Sequence, residues 1–301
     1  MSPTPDTPWL WTLLIAPFAD LAFMRRALVA TLALALSSAP LGVFLTLRRM
    51  SLLGDALSHA VLPGVAMAYL LAGLSLPAMA AGGMLAGLAV AAAAGFISRS
   101  TALKEDASLA ALYLMALALG VTLIARPGSQ LDLLRILFGS ALGVDDAGLL
   151  LVAGVSTATV LALAALFRPL VLESFDPTYL AATAAGRWSR RPGLWQQVFL
   201  MLVVVNLVAA FQTLGTLMAV GLMMLPAVSA RLWHDSLAAQ LLNASAQAAL
   251  AGVAGLLLSY HLDSPSGPTI IGCAGVLYLA SLAVAPAGWL ARRRSRQHRV
   301  A

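Results

Sequence analysis

The stretch MSLLGDALSHAVLPGVAMAYLL, residues 50–71, decides how this chain is read. It is long enough to cross a bilayer as one helix, and nearly all of it is apolar. Asp55 and His59 are the exceptions. Four residues apart, they share one face of a helix, with side chains close enough to share one cation. Ionisable groups inside a membrane segment are costly enough to point to function by default. On these residues alone two readings stay open. Each group can satisfy a neighbouring backbone group or the other, or the pair can offer imidazole and carboxylate to zinc, manganese or ferrous iron. Two ligands are too few to hold such an ion tightly, and a twofold dimer would double them to four.

Outward from that stretch the composition supplies the membrane. Of 301 residues, 61% are hydrophobic and 10% charged, with a mean hydropathy of +0.92, far outside the range of a soluble domain. An all-α, polytopic membrane protein with lipid around it is expected. At roughly 20 apolar residues per span, nine spans are expected: Ala27 to Leu47, Leu52 to Leu74, Leu76 to Ile97, Leu109 to Ala125, Leu149 to Phe167, Leu194 to Phe211, Thr213 to Ala230, Leu237 to Tyr260 and Pro268 to Leu290. The run from Trp195 to Ala230 is nearly unbroken. As a single helix it would be about 54 Å long, against a hydrocarbon core of about 30 Å, so it divides at Gln212 to Gly215.

The net charge of +6 would suggest nucleic acid in a soluble protein. Here the basic residues cluster at the ends of apolar runs and read as topology signals, so no nucleic-acid partner is expected. The tail ARRRSRQHR fixes the C-terminus as cytoplasmic, and nine spans then place the N-terminus outside. On that assignment Arg48, Arg49, Arg99, Lys104, Arg168, Arg187, Arg190, Arg191, Arg231, Arg292, Arg293, Arg294, Arg296 and Arg299 lie inside, fourteen of the eighteen basic residues, and Arg25, Arg26, Arg126 and Arg135 outside. The chain divides into an interfacial segment over 1–26, carrying Trp9 and Trp11, a transmembrane domain over 27–290 and a basic cytoplasmic tail over 291–301. The N-terminus has an acid and no basic n-region, unlike a cleaved signal peptide.

Two connecting segments have structure of their own. The outer loop from Arg126 to Asp146 is apolar enough to lie on the membrane or on neighbouring spans. On the inner side, SFDPTYLAATAAGR, residues 174–187, reads as a short isolated helix, with Asp176 as N-cap, Pro177 at the first helical position and Gly186 at the end. Held between the fifth and sixth spans, it offers a rigid knob to a cytoplasmic partner. His261 and Asp263 fall in the turn YHLDSPSGPTII and read as solvated, and Cys273 as packing.

Absent motifs remove several classes. No H-E-x-x-H or G-x-S-x-G occurs, which argues against an intramembrane metalloprotease or a serine hydrolase. Lys104 is the only lysine and no G-x-x-x-x-G-K-[ST] is present, so any ATP hydrolysis belongs to another chain. The chain is expected to be a transport subunit, not an enzyme.

With these pieces placed, the chain resembles the permease subunits of the bacterial ABC importers for zinc, manganese and iron(II), the ABC-3 type. The resemblance rests on GVFLTLRRMSLLGDALSHAVLPGVA at 42–66, LFGSALGV at 137–144, SFDPTYLAATAAG at 174–186, GTLMAVGLMMLPAVSARL at 215–232 and DSPSGPT at 263–269. The first block is the most specific, and the blocks follow the family's order along nearly the whole chain. The resemblance implies a homodimeric permease in the bacterial inner membrane, with a cytoplasmic ABC ATPase below and a periplasmic or surface-anchored metal-binding protein above. It implies that Asp55 and His59 of the G-D-A-x-S-H motif line the metal path, and that Phe175, Asp176 and Pro177 belong to the region coupled to the ATPase. Tyr179, on the exposed first turn of that helix, is the expected anchor in an ATPase groove. No permanently bound cofactor is expected, the divalent metal being cargo. A permease for chelated metal, siderophore or cobalamin, and a gradient-driven carrier or channel without an ATPase, are the alternatives. One tension remains, because a second span starting at the inner face would set Asp55 and His59 low in the membrane unless Arg48 and Arg49 lie deeper than a boundary residue would.

Overall fold

The structure is a computed structural model that describes residues 11–73, 75–125, 143–175, 179 and 194–289. Within a bilayer every backbone N–H and C=O must find a partner inside the protein, and a helix satisfies them within one segment. The described residues accordingly fold as helices, with no strand among them. After a π-helical turn at Trp11–Ile15 come α1 (Ala16–Asp20), α2 (Ala22–Leu47), α3 (Leu53–Ala60), α4 (Leu62–Ala72), α5 (Leu76–Ser100) and α6 (Glu105–Ile124). They are followed by α7 (Asp146–Phe175), α8 (Leu194–Leu214), α9 (Thr216–Trp233), α10 (Leu237–His261) and α11 (Ser266–Val284). Counting α3 and α4 as one span, nine segments are long and apolar enough to cross a membrane.

Most expected boundaries hold within a few residues. α2 starts at Ala22, so Arg25 and Arg26 ride its first turns, and Leu21, extended at φ −108° and ψ 114°, separates it from α1. The division of the long apolar run falls at Gly215, whose φ of +90° is a conformation L side chains rarely adopt. The second span contains a break at Val61 that was not expected. Pro63 has no N–H for the carbonyl of His59 four residues back, and its ring would crowd that carbonyl. The N–H of Val61 bonds it instead, and the helix resumes as α4.

The spans alternate in direction, as the charge count required. Arg26 Nε lies 2.8 Å from Asp146 Oδ1, so α2 and α7 both start at one end of the bundle. At the other end Arg231, in the last turn of α9, donates to the carbonyl of Thr46 near the end of α2, and the N–H of Ala287 donates to the carbonyl of Leu232. That second end carries Arg48, Arg49, Arg99, Lys104 and Arg231 among the described residues.

α2 and α8 form the centre: 67% and 61% of their most apolar windows are buried, against 22% for α7 and for α11 at the periphery. α2 packs on α7, α9 and α10, while α8 bridges α7 to α5. Without a hydrophobic drive between helices in lipid, close backbone approach through small residues does the packing. A Cβ on Gly42 of α2 would collide with the carbonyl of Met223 in α9, and Gly64 of α4 and Gly82 of α5 face each other so closely that a Cβ on either would strike the other's carbonyl.

Candidate metal site

The site is built on the turn that joins α2 to α3. The N–H of Arg48 closes α2 on Phe44 O at 3.1 Å, and Arg49 then takes a left-handed conformation, φ 59°. Few non-glycine residues do so, and the chain here reverses within five residues. The N–H of Met50 reaches back to Leu45 O at 2.9 Å, and that of Leu53 to Met50 O at 3.1 Å. The turn therefore folds back into the bundle. Gly54 packs against the Met223 and Val220 side chains of α9, the level that Gly42 of α2 also touches. At about 1.5 Å per residue, Gly42 to Leu47 and Gly54 to His59 together place His59 about 15 Å from the end of α2 along the bundle. The chain thus turns back alongside α2 before α3 starts, which sets Asp55 and His59 farther from this end of the bundle than a span starting at its edge would.

Both ionisable groups sit on α3. His59 Nε2 lies 3.7 Å from Asp55 Oδ1, too long for a hydrogen bond. The Asp55 side chain is 65% exposed and the His59 ring 25%. His59 Nδ1 is buried and meets no hydrogen-bond partner among the described atoms. The neighbouring Ser58 hydroxyl is occupied, donating to the carbonyl of Asp55 at 2.7 Å. Carboxylate and imidazole thus face a common space from one side, with the Asp55 oxygens open to whatever covers α3. Among the described residues no third His, Cys, Asp or Glu joins them. One chain offers one carboxylate and one imidazole here, with Cys273 away on α11.

The residues expected to face an ATPase are only partly described. Phe175 ends α7 and is 69% exposed, and Tyr179 is helical and 54% exposed. Asp176, Pro177 and the rest of the expected helix to Arg187 lie outside the described residues, as does the basic tail. Asp263 takes a left-handed φ of 47°, and His261 Nε2 lies 3.1 Å from the carbonyl of Leu13 ahead of α1.

Two features escaped the sequence. Arg48 is no boundary charge: its side chain is 5% exposed, against α7 and α8. Its position beside the turn of the G-D-A-x-S-H motif was the available signal. Across the centre, Asn206 of α8 accepts from the Ser38 hydroxyl and donates to Ser37 Oγ at 2.9 Å, while Ser37 Oγ lies 3.0 Å from Ser156 Oγ. A lone amide inside LMLVVVNLVAAF was the trace of this node.

Comparison with known proteins agrees with this architecture. A profile of the ABC 3 transport family matches residues 20–285. The manganese import system permease protein ScaB of Streptococcus parasanguinis is 33% identical over 264 residues, 88% of this chain and 91% of that protein. A protein of Haemophilus influenzae named "Probable iron transport system membrane protein" is 30% identical over 261 residues, 87% of this chain and 93% of that one. Among solved structures, PsaBC from Streptococcus pneumoniae in complex with Fab superposes with a TM-score of 0.77 at 32% identity, covering 91% of this chain and 95% of that one. With the profile running from before α2 to beyond α11 and relatives aligned nearly end to end, the chain belongs to the ABC 3 transport family and is a multi-pass protein of the bacterial inner membrane.

Proposed function

We propose that this chain is the membrane permease of an ATP-driven importer for a divalent transition metal, with manganese the first candidate and zinc or iron(II) behind it. The observation that carries the reading is the Asp55 and His59 pair, 3.7 Å apart on α3 with the carboxylate 65% exposed, in a chain of this family. A carboxylate left facing lipid within a span is costly alone. A second copy related by a twofold axis would cover it and bring two carboxylates and two imidazoles together. Such oxygen and nitrogen donors suit manganese, zinc and ferrous iron, and without a thiolate they give no preference to softer ions. The names of the relatives favour manganese, and one names iron. A transported ion has to leave, so donors from two separable protomers serve better than a closed cage.

On this reading the ATPase is a separate chain that binds below, through the segment that begins at Phe175 and includes Asp176, Pro177 and Tyr179, and a metal-binding protein delivers the ion from outside. The test is uptake by proteoliposomes holding permease and ATPase together with the metal-binding protein, supplied in turn with manganese, zinc, ferrous iron and a metal chelate. ATP-dependent manganese accumulation supports the proposal. Uptake driven by an ion gradient without ATP, or uptake of the chelate alone, would replace it with one of the alternatives.

A further inference from the structure

Arg48 lies where three elements meet. Its Nε donates to Ser174 Oγ at 3.1 Å and its Nη2 to the carbonyl of Leu170 at 3.4 Å, with Nη2 also 3.7 Å from Glu173 Oε2, all in the last two turns of α7. Its Nη1 donates to Gln196 Oε1 in the first turn of α8, and the guanidinium lies 4.6 Å from the ring centre of Phe199. Gln196 is itself tied to the turn, since its Nε2 lies 3.4 Å from Met50 Sδ. Both charged side chains are nearly closed off, 5% exposed for Arg48 and 8% for Glu173.

These partners stand at significant places in the chain. Ser174 is two residues before Asp176, at the threshold of the segment assigned to the ATPase, while Arg48 is seven residues before Asp55, across the turn that starts α3. A flexible lysine could mark an inner boundary, but the rigid guanidinium fork fixes direction as well as charge. A buried pair of this kind holds best in one geometry, so a shift of α7 must either carry Arg48 along or break the cluster.

We infer that Arg48, held by Glu173 and Ser174, is a positioning residue that passes movement of the ATPase-facing end of α7 to the turn before α3, and so to Asp55 and His59. The inference rests on the proposed importer function. A purely structural staple would lower the amount of assembled complex and leave the metal moved per ATP unchanged. A coupling residue changes that ratio.

The test uses the whole complex of permease, ATPase and metal-binding protein in proteoliposomes, with manganese as the probe, comparing wild type with Arg48→Gln, Arg48→Lys and Glu173→Gln. Expected is a fall of at least about tenfold in manganese moved per ATP for Arg48→Gln, with the half-saturating manganese concentration and basal ATP hydrolysis within about twofold of wild type. Arg48→Lys, which keeps the charge and loses the fork, should fall between the two. Should Arg48→Gln fail to assemble, the decision passes to Glu173→Gln, which preserves shape and removes only the charge. A wild-type ratio in the assembled variant, or a change confined to half-saturation, overturns the inference. A wild-type complex that moves no metal overturns the proposed function instead, so the two failures are distinguishable.

Discussion

Replacing Asn206 by leucine separates the polar node from the apolar packing at the centre of the bundle. The side chain is fully enclosed, 1% exposed, between α2 and α7. It accepts from Ser38, donates to Ser37 at 2.9 Å and reaches Thr159 Oγ1 at a marginal 3.5 Å. Leucine keeps the branching and heavy-atom count of asparagine but carries bulkier methyl groups, so no cavity is left and any overpacking adds to the loss. Ser37 already lies 3.3 Å from the carbonyl of Leu34, a fallback within its own helix, whereas the buried Ser38 hydroxyl loses the acceptor it has in Asn206. Interhelical hydrogen bonds in membranes average about 0.6 kcal/mol and reach about 1.7, which puts the loss at about 1–2 kcal/mol. At about 2–4 °C per kcal/mol for a chain of a few hundred residues, the unfolding midpoint should drop by about 2–8 °C. The assay is thermal unfolding in detergent at one scan rate for both proteins, because irreversibility makes the midpoint rate-dependent. Ser156→Ala, which removes one outlying contact, should move it by less than half as much. An Asn206→Leu midpoint at or above wild type would refute the view that this node holds α2, α7 and α8 together.

Two further outcomes follow from charge and exposure. Tyr179→Glu should weaken ATPase association by at least about 30-fold, the loss of one interface anchor of about 2 kcal/mol, seen as loss of the ATPase on purification while metal still reaches Asp55 and His59. A reporter fused after Arg299 should report cytoplasm and one near Ser129 the outer side, since nine spans assign fourteen of the eighteen basic residues to the inner side; both on one side would mean that a span is miscounted.

What was legible in the sequence was whatever depends on local chemistry. Apolar length gave the spans, Gly215 marked the break between α8 and α9, and the four-residue spacing put Asp55 and His59 on one face of α3. The features that escaped depend on residues distant in sequence. An arginine at the end of an apolar run looks the same whether it snorkels to water or turns inward, and Arg48 turns inward because Glu173 and Gln196, well over a hundred residues on, are there to receive it. Asn206 is equally mute until Ser37 and Ser38 of α2 arrive beside it. The break at Val61 was visible in Pro63, but a membrane helix can also absorb a proline without breaking, and only the packing of α4 on α5 at Gly64 and Gly82 decides between the two.

The central claim is that Asp55 and His59 form the metal path, and ATP-driven manganese accumulation by proteoliposomes carrying Asp55→Ala or His59→Ala permease tests it most directly, normalised to the amount inserted. Neither change shortens a span, so insertion and basal ATP hydrolysis should stay at wild-type levels. In a twofold dimer each substitution removes two of four ligands, and accumulation should fall to the background seen without ATP. Wild-type accumulation in both variants would contradict the account and leave the pair as an internal polar contact of α3.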